Sequence, residues 1–350
     1  MILEDRIDNR TSANVRVFPT EDASGAEVAL VVVRLAFAYA RDGRLALASR
    51  PVRISDDPDG QGGILYPTDF QADKPGTDLG LVGHLEVPKR SVGEVVAGLR
   101  MGALYKGLRV TGPSHFELQQ GRAKPSAPTP IVDPVPLVYA LCLGGRTPQT
   151  IDPDARTASA ENPVGRGFGA PSAWVGKPAP RLFPFGSTDG PAEHACFAPL
   201  PATWEPRASR AGTYDGTWAR TRAPLAPLDR DARYGCWATT GLYSQTPLRG
   251  DEPIFIGGVH GASDLRLELP LHPVRISATV LGHEADLRTH LDGVLVDADR
   301  QVVELTWRAA LRAPKKRQMI GRIRVETERD LSPEIADLRI EGHPEPGVQP

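Results

Sequence analysis

The chain is 350 residues long, with 41 basic and 43 acidic side chains and a formal net charge of -2. That balance excludes the strongly basic footprint that nucleic-acid binding requires, and the length allows one large domain or two ordinary ones around a substantial core. The 35 glycines and 34 prolines disfavour long helices and favour turns, short strands and irregular connections. The expected fold class is mainly β.

The first residues, Met1-Ile2-Leu3-Glu4-Asp5-Arg6, carry acids early and no apolar run, so no signal peptide is expected. The longest apolar stretch, Val28 to Ala40, is interrupted by Arg34 and is too short to span a bilayer as a helix. Its alternation predicts a strand instead. Ala29, Val31, Val33, Leu35, Phe37 and Tyr39 share one face and Val28, Leu30 and Val32 start the other, the pattern of a central strand. Asp42-Gly43 supplies a hairpin turn, and Leu45 and Leu47 resume the apolar face. Leu79–Val87, Val95–Met101 and Leu108–Thr111 predict further short strands, so residues 1–120 read as an N-terminal β half.

Residues 121–250 are dense in Pro and Gly and sustain no strand pattern. They nonetheless hold Trp174, Trp204, Trp218 and Trp237 together with Phe183, Phe185, Tyr214 and Tyr234. Disordered segments are poor in such side chains, so an ordered irregular coil, pinned onto the sheets by aromatics, is expected. Strand patterning returns at Ile254, with Leu265, Leu267 and Leu269 on one face, Val274–Leu281, and a second hairpin over 294–307. Residues 251–341 read as a C-terminal β half and 342–350 as a frayed tail. The expected architecture is two β-sandwich or barrel-like halves joined by a long ordered coil.

Searching for chemistry yields no Walker loop, HExxH, GxSxG or paired CxxC. Gly165-Arg166-Gly167-Phe168-Gly169 lacks the strand and helix that would aim backbone N–H groups at a phosphate, and reads as a tight turn. His194, Cys196 and Cys236 lack the spacing of a zinc site, and Cys142, Cys196 and Cys236 fit packing thiols in a reducing cytosol. His283, Glu284, Asp286 and His290 lie in a polar, solvated stretch, and Lys315-Lys316-Arg317 reads as a solvated turn. No catalytic residue, metal or cofactor is expected.

Several strings, taken in order, carry a resemblance. They are Lys74-Pro75-Gly76-Thr77-Asp78 leading to Val82-Gly83-His84, and Glu161-Asn162-Pro163-Val164-Gly165-Arg166-Gly167-Phe168. Ala211-Gly212-Thr213-Tyr214-Asp215 follows with Trp218 and Arg222, and then come Leu248-Arg249-Gly250-Asp251-Glu252 and Leu291-Asp292-Gly293-Val294. Over roughly residues 1–312 the chain resembles the bacterial domain of unknown function encoded beside VgrG spike and PAAR tip genes, the type VI secretion effector-adaptor or chaperone family. The resemblance implies a cytoplasmic, non-enzymatic adaptor whose partners are a secreted effector with a PAAR-type or similar N-terminal region and the VgrG spike. It implies neither nucleic-acid nor membrane binding. A β-rich hydrolase using acids and Arg166, or a structural subunit of the spike, are the alternatives. The residues expected at the partner surface are Asn162, Arg166, Phe168, Tyr214, Asp215 and Trp218. Arg166 is read either as an exposed interface arginine or as a donor to its own coil, and Asp215 as a helix cap or a partner of Arg222.

Overall fold

The alternation that starts at Val28 folds as a 13-residue strand, Glu27–Tyr39, lying in the interior of a seven-stranded sheet. The structure, a computed structural model, describes residues 3–22, 24–71, 74–147, 158–169, 171–186, 195–261, 264–269, 274–312 and 320–327. Val302–Arg312 pairs antiparallel along one side of the long strand, and Asn14–Glu21 and Leu45–Ala48 share the other side in tandem. His290–Asp297, Thr77–Val82 and Tyr243–Ser244 complete the order beyond Val302–Arg312, with Thr77–Val82 parallel to His290–Asp297.

Period-two geometry gives this sheet two unlike faces. In register, Val31, Val33, Leu35 and Phe37 stand beside Ala309, Trp307, Leu305 and Val303, all buried and apolar. The opposite face carries Arg34, Glu304, Thr306 and Arg308, also buried.

A five-stranded sheet runs Leu182–Pro184, Leu104–Thr111, Glu94–Met101, Ile254–Gly257, Leu265–Leu267. A four-stranded one runs Ile7–Asn9, Ile320–Thr327, Val274–Val280, His283–Leu287. The apolar faces of all three meet in one continuous core that includes Phe37, Leu99, Leu108, Ile256, Ile276 and Val325. Among the described residues no sheet closes on itself, so the layout is sandwich-like rather than a barrel.

The fold is mainly β, and both expected hairpins are present (Phe37 opposite Leu47, Val296 opposite Val303). They are neighbours in a single sheet, however. Each of the three large sheets takes strands from both sides of the boundaries expected at 120 and 250, so those boundaries do not separate β halves. Alternation reports which side chains face inward; it carries no information on which distant strand lies alongside. The expected strand over Leu79–Val87 is also split, at Gly83. There φ is +115° and the His84 N–H donates to Asp299 Oδ1 at 2.8 Å.

The coil between the sheets packs on the same core. Tyr139 is fully buried, donates its hydroxyl to Ala198 O at 2.8 Å and meets Trp204 edge-to-face at 5.2 Å. Trp237 is buried and its backbone N–H donates to Asp78 Oδ2 at 2.8 Å. Burying each such ring contributes roughly 1.5–3 kcal/mol, which explains how a segment poor in strands stays on the scaffold.

Candidate partner-binding surface

The polar face of the large sheet is covered by a strap that includes residues 50–71 and Lys74, and the two are joined by buried ion pairs. Glu304 accepts from Arg34 Nη1 at 2.6 Å and from both terminal nitrogens of Arg53, at 2.6 and 2.8 Å. Arg34 also pairs with Asp69, whose carboxylate accepts the Arg53 N–H at 2.8 Å. Burial opposes ionisation of Glu304 most strongly, but the Arg53 hydrogen bonds and the surrounding guanidinium charges outweigh it and hold its pKa below the ordinary value.

A second cluster lies alongside. A β-bulge between Leu291 and Gly293 turns Asp292 onto the polar face, 2.6 Å from Arg308 Nε. Lys74 Nζ donates to Asp292 O at 2.6 Å, pairs with Asp78 Oδ2 at 3.0 Å and sits over the Trp237 ring. Thr77 Oγ1 donates to Leu291 O and accepts from the Leu248 N–H. Three of the strings that carry the resemblance, around Lys74–Asp78, Leu248–Glu252 and Leu291–Val294, therefore converge on one internal knot. Sequence reasoning took Arg34 as a break in an apolar run; its place within a strand pattern, beside Glu304 and Arg308 in another, was the signal for a charged internal face.

The first expected partner loop also turns inward. Asn162 is 2% exposed, and its amide donates to Tyr139 O at 3.0 Å and Leu143 O at 2.9 Å. Side chains at Gly144, Gly145 or Gly165 would collide with backbone only 2.1–2.6 Å away, so the glycines serve close chain approach rather than phosphate binding. Arg166 is half-buried, and its Nη1 reaches Ala179 O at 3.4 Å. Phe168 is half-buried and its carbonyl accepts from Trp174 Nε1 at 2.9 Å. These contacts correct the expectation for Asn162: a side chain this buried, with its amide engaged internally, is scaffold and offers no partner contact. They also favour the donor reading of Arg166.

The second expected segment is different. Gly216–Thr221 forms one short helix, and Asp215 is its cap, accepting the Trp218 N–H at 2.7 Å. Trp218 Nε1 donates to Leu225 O at 2.9 Å and Arg222 Nε to Ala226 O at 2.9 Å. Tyr214 is 57% exposed and meets the Trp218 ring edge-to-face at 4.7 Å. The excursion rests on the large sheet's edge, Leu225 against Gly25 and Arg230 near Gln71. Tyr214 and Asp215 are thus exposed, with Trp218 half-buried beside them on the same short segment.

The remaining candidates do not assemble. Cys196 Sγ donates to Leu137 O and Cys236 Sγ to Pro75 O, both thiols buried, while His194 lies outside the described residues. His283, Glu284 and Asp286 lie on an edge strand of the four-stranded sheet, whereas His290 is in the large sheet beside Lys74 O. Lys315-Lys316-Arg317 and the 342–350 tail lie outside the described residues. Among the described residues no group of three or more His, Cys, Asp or Glu is placed to hold a metal, and no helix is long and apolar enough to cross a membrane.

The fold and surface define a β scaffold with a charged internal seam and an aromatic excursion held outside it. Residues 24–308 match the family described as an uncharacterized protein conserved in bacteria (DUF2169), and the chain belongs to that family. No curated protein and no solved structure matches the chain.

Proposed function

We propose that this protein is a non-enzymatic adaptor of the type VI secretion system, which binds a secreted effector through its PAAR-type or similar N-terminal region and delivers it to the VgrG spike. The reading starts from the ordered strings that carry the resemblance, which lie within the family match over residues 24–308. The observation that carries it is the Tyr214–Trp218 pair. Two hot-spot side-chain types meet at the surface of the β scaffold, half-buried Trp218 fixed by hydrogen bonds within its own segment and exposed Tyr214 held by its edge-to-face contact with that ring. Such an arrangement lowers the entropy cost of binding because the rings are held before a partner arrives.

The test is co-purification of the tagged protein with the products of the neighbouring VgrG and effector genes. The adaptor reading expects both to be captured, with effector capture lost in Tyr214→Ala or Trp218→Ala at unchanged melting temperature. Wild-type protein that captures neither would overturn it.

A further inference from the structure

We propose that the internal seam between the strap and the large sheet is a binding site for one structural water molecule, held by Asp292, Arg34 and Arg308. A small cavity lies there, with Pro67, Thr68, Asp69 and Lys74 of the strap on one side and the polar face of the sheet on the other. It leaves ≈ 10 Å³ for the centre of a water molecule, about what a single water needs. Arg34, Asp292 and Arg308 line it and are each 3% exposed or less. Among the described residues, Arg34 Nε, Arg308 Nε and both carboxylate oxygens of Asp292 have no hydrogen-bond partner. The approach of Arg308 Nε to Asp292 Oδ2 at 2.6 Å is an ion pair that is not directed as a hydrogen bond, and Lys74 Nζ, 3.9 Å from the same oxygen, is too far for one. Native interiors satisfy nearly all such groups, with protein or with ordered water, because an unpartnered one is costly.

The chemistry of the lining fixes the occupant. An ionised Asp292 offers only acceptors and the two guanidinium Nε–H groups only donors, so the occupant must both donate and accept. Three cations, Arg34, Lys74 and Arg308, line the cavity with three carboxylates, Asp69, Asp292 and Glu304. That balance leaves no net charge for an ion to neutralise: a metal cation would stand against three positive side chains and an anion against three carboxylates. Water meets both demands at the size available.

Gly293, which lines the same cavity, supplies the test. A Cβ there would lie 3.5 Å from Trp237 Cζ2, 3.6 Å from Lys74 Nζ and 3.8 Å from Thr306 Cβ. These are ordinary contacts, and all three neighbours line the cavity. Gly293→Ala therefore places a methyl group in the space of the water without a collision.

The experiment compares full-length wild type and Gly293→Ala in thermal melts and in crystal structures. With water completing the hydrogen bonds of Asp292 and the arginines, the methyl expels it and the variant melts lower than the wild type by about 2 °C or more. A dry cavity gives the opposite sign, because the methyl adds packing and restricts the unfolded chain. The wild-type crystal structure is expected to show an ordered water within about 3.2 Å of an Asp292 carboxylate oxygen and of Arg34 Nε or Arg308 Nε, and the variant to lack it. A variant that melts at or above the wild type overturns the inference. So does a wild-type cavity with no density, or with an ion in place of water, and that structure decides alone should the variant not fold.

Discussion

Lys74 and Asp292 are 218 residues apart in sequence, and the Lys74 ammonium donates to the Asp292 backbone carbonyl at 2.6 Å in the interior. The same ammonium pairs with Asp78 at 3.0 Å, and both side chains of that pair are essentially inaccessible to water. One lysine thus ties the strap over the polar face to two strands of the large sheet. Replacing it by an isosteric apolar side chain, Lys74→Met, strands Asp78 without its counter-charge. Removing one partner of a buried pair typically costs about 3–5 kcal/mol, so urea unfolding should show a loss of that order. A loss under about 1 kcal/mol would mean that the seam does not hold the strap down.

Glu304 gives the seam a pH signature. Its folded pKa lies below the ordinary glutamate value, so the unfolded chain binds the proton more readily. The stability it contributes is therefore fully present above the unfolded pKa and is lost as pH falls through the folded one. The urea midpoint should drop as pH falls from about 5 toward about 3. Glu304→Gln should start lower at neutral pH and show a shallower drop over the same range. Parallel curves for variant and wild type would assign the acid sensitivity to other carboxylates.

The 162–168 loop should behave as scaffold. Asn162→Ala leaves the carbonyls of Tyr139 and Leu143 without their amide donor, a defect expected to cost about 1–3 kcal/mol. Arg166→Ala should destabilise less, since the one side-chain hydrogen bond it makes among the described residues is long, at 3.4 Å. Both variants, once folded, should capture effector as the wild type does. Lost capture with wild-type melting would return this loop to the partner surface.

The three thiols should be unreactive in the native state. All are buried, and burial followed by the nearby Asp78 charge pushes the Cys236 pKa up to about 12. Burial opposes the Cys196 thiolate most strongly, but the Cys142 hydrogen bond and the Ala198 N–H outweigh it and lower its pKa. Thiolate is the reactive form, so for that thiol protection rests on inaccessibility. A chromogenic disulfide reagent at neutral pH should label the folded protein slowly and all three cysteines at once on denaturation. Rapid labelling of one thiol in the native protein would show an opening of the core.

Much of this fold was legible in the alternation of single strands. Glu27–Tyr39, Glu94–Met101 and both hairpins follow from period-two patterning, which decides burial locally. The pairing of Val302–Arg312 with Glu27–Tyr39 was not legible, because register across such a separation is fixed by packing of whole faces. Arg34 and Asp292 were misleading for a related reason: a charge in an apolar strand reads as an interruption until its counter-charges arrive from elsewhere in the chain. At the candidate surface, the Tyr214-Asp215-Trp218 spacing did announce a capped helical turn. Asn162 did not announce its burial, since only the approach of Tyr139 and Leu143 turns its amide into an internal donor.

The adaptor reading meets its most direct test in calorimetric titration of the full-length protein with the purified PAAR-type N-terminal region of the effector that the reading proposes as its partner. Binding is predicted for the wild type, with Trp218→Ala and Tyr214→Ala each weaker by about 2 kcal/mol or more, the scale of a truncated hot spot, at wild-type melting temperature. Wild-type affinity retained in both variants would contradict the account.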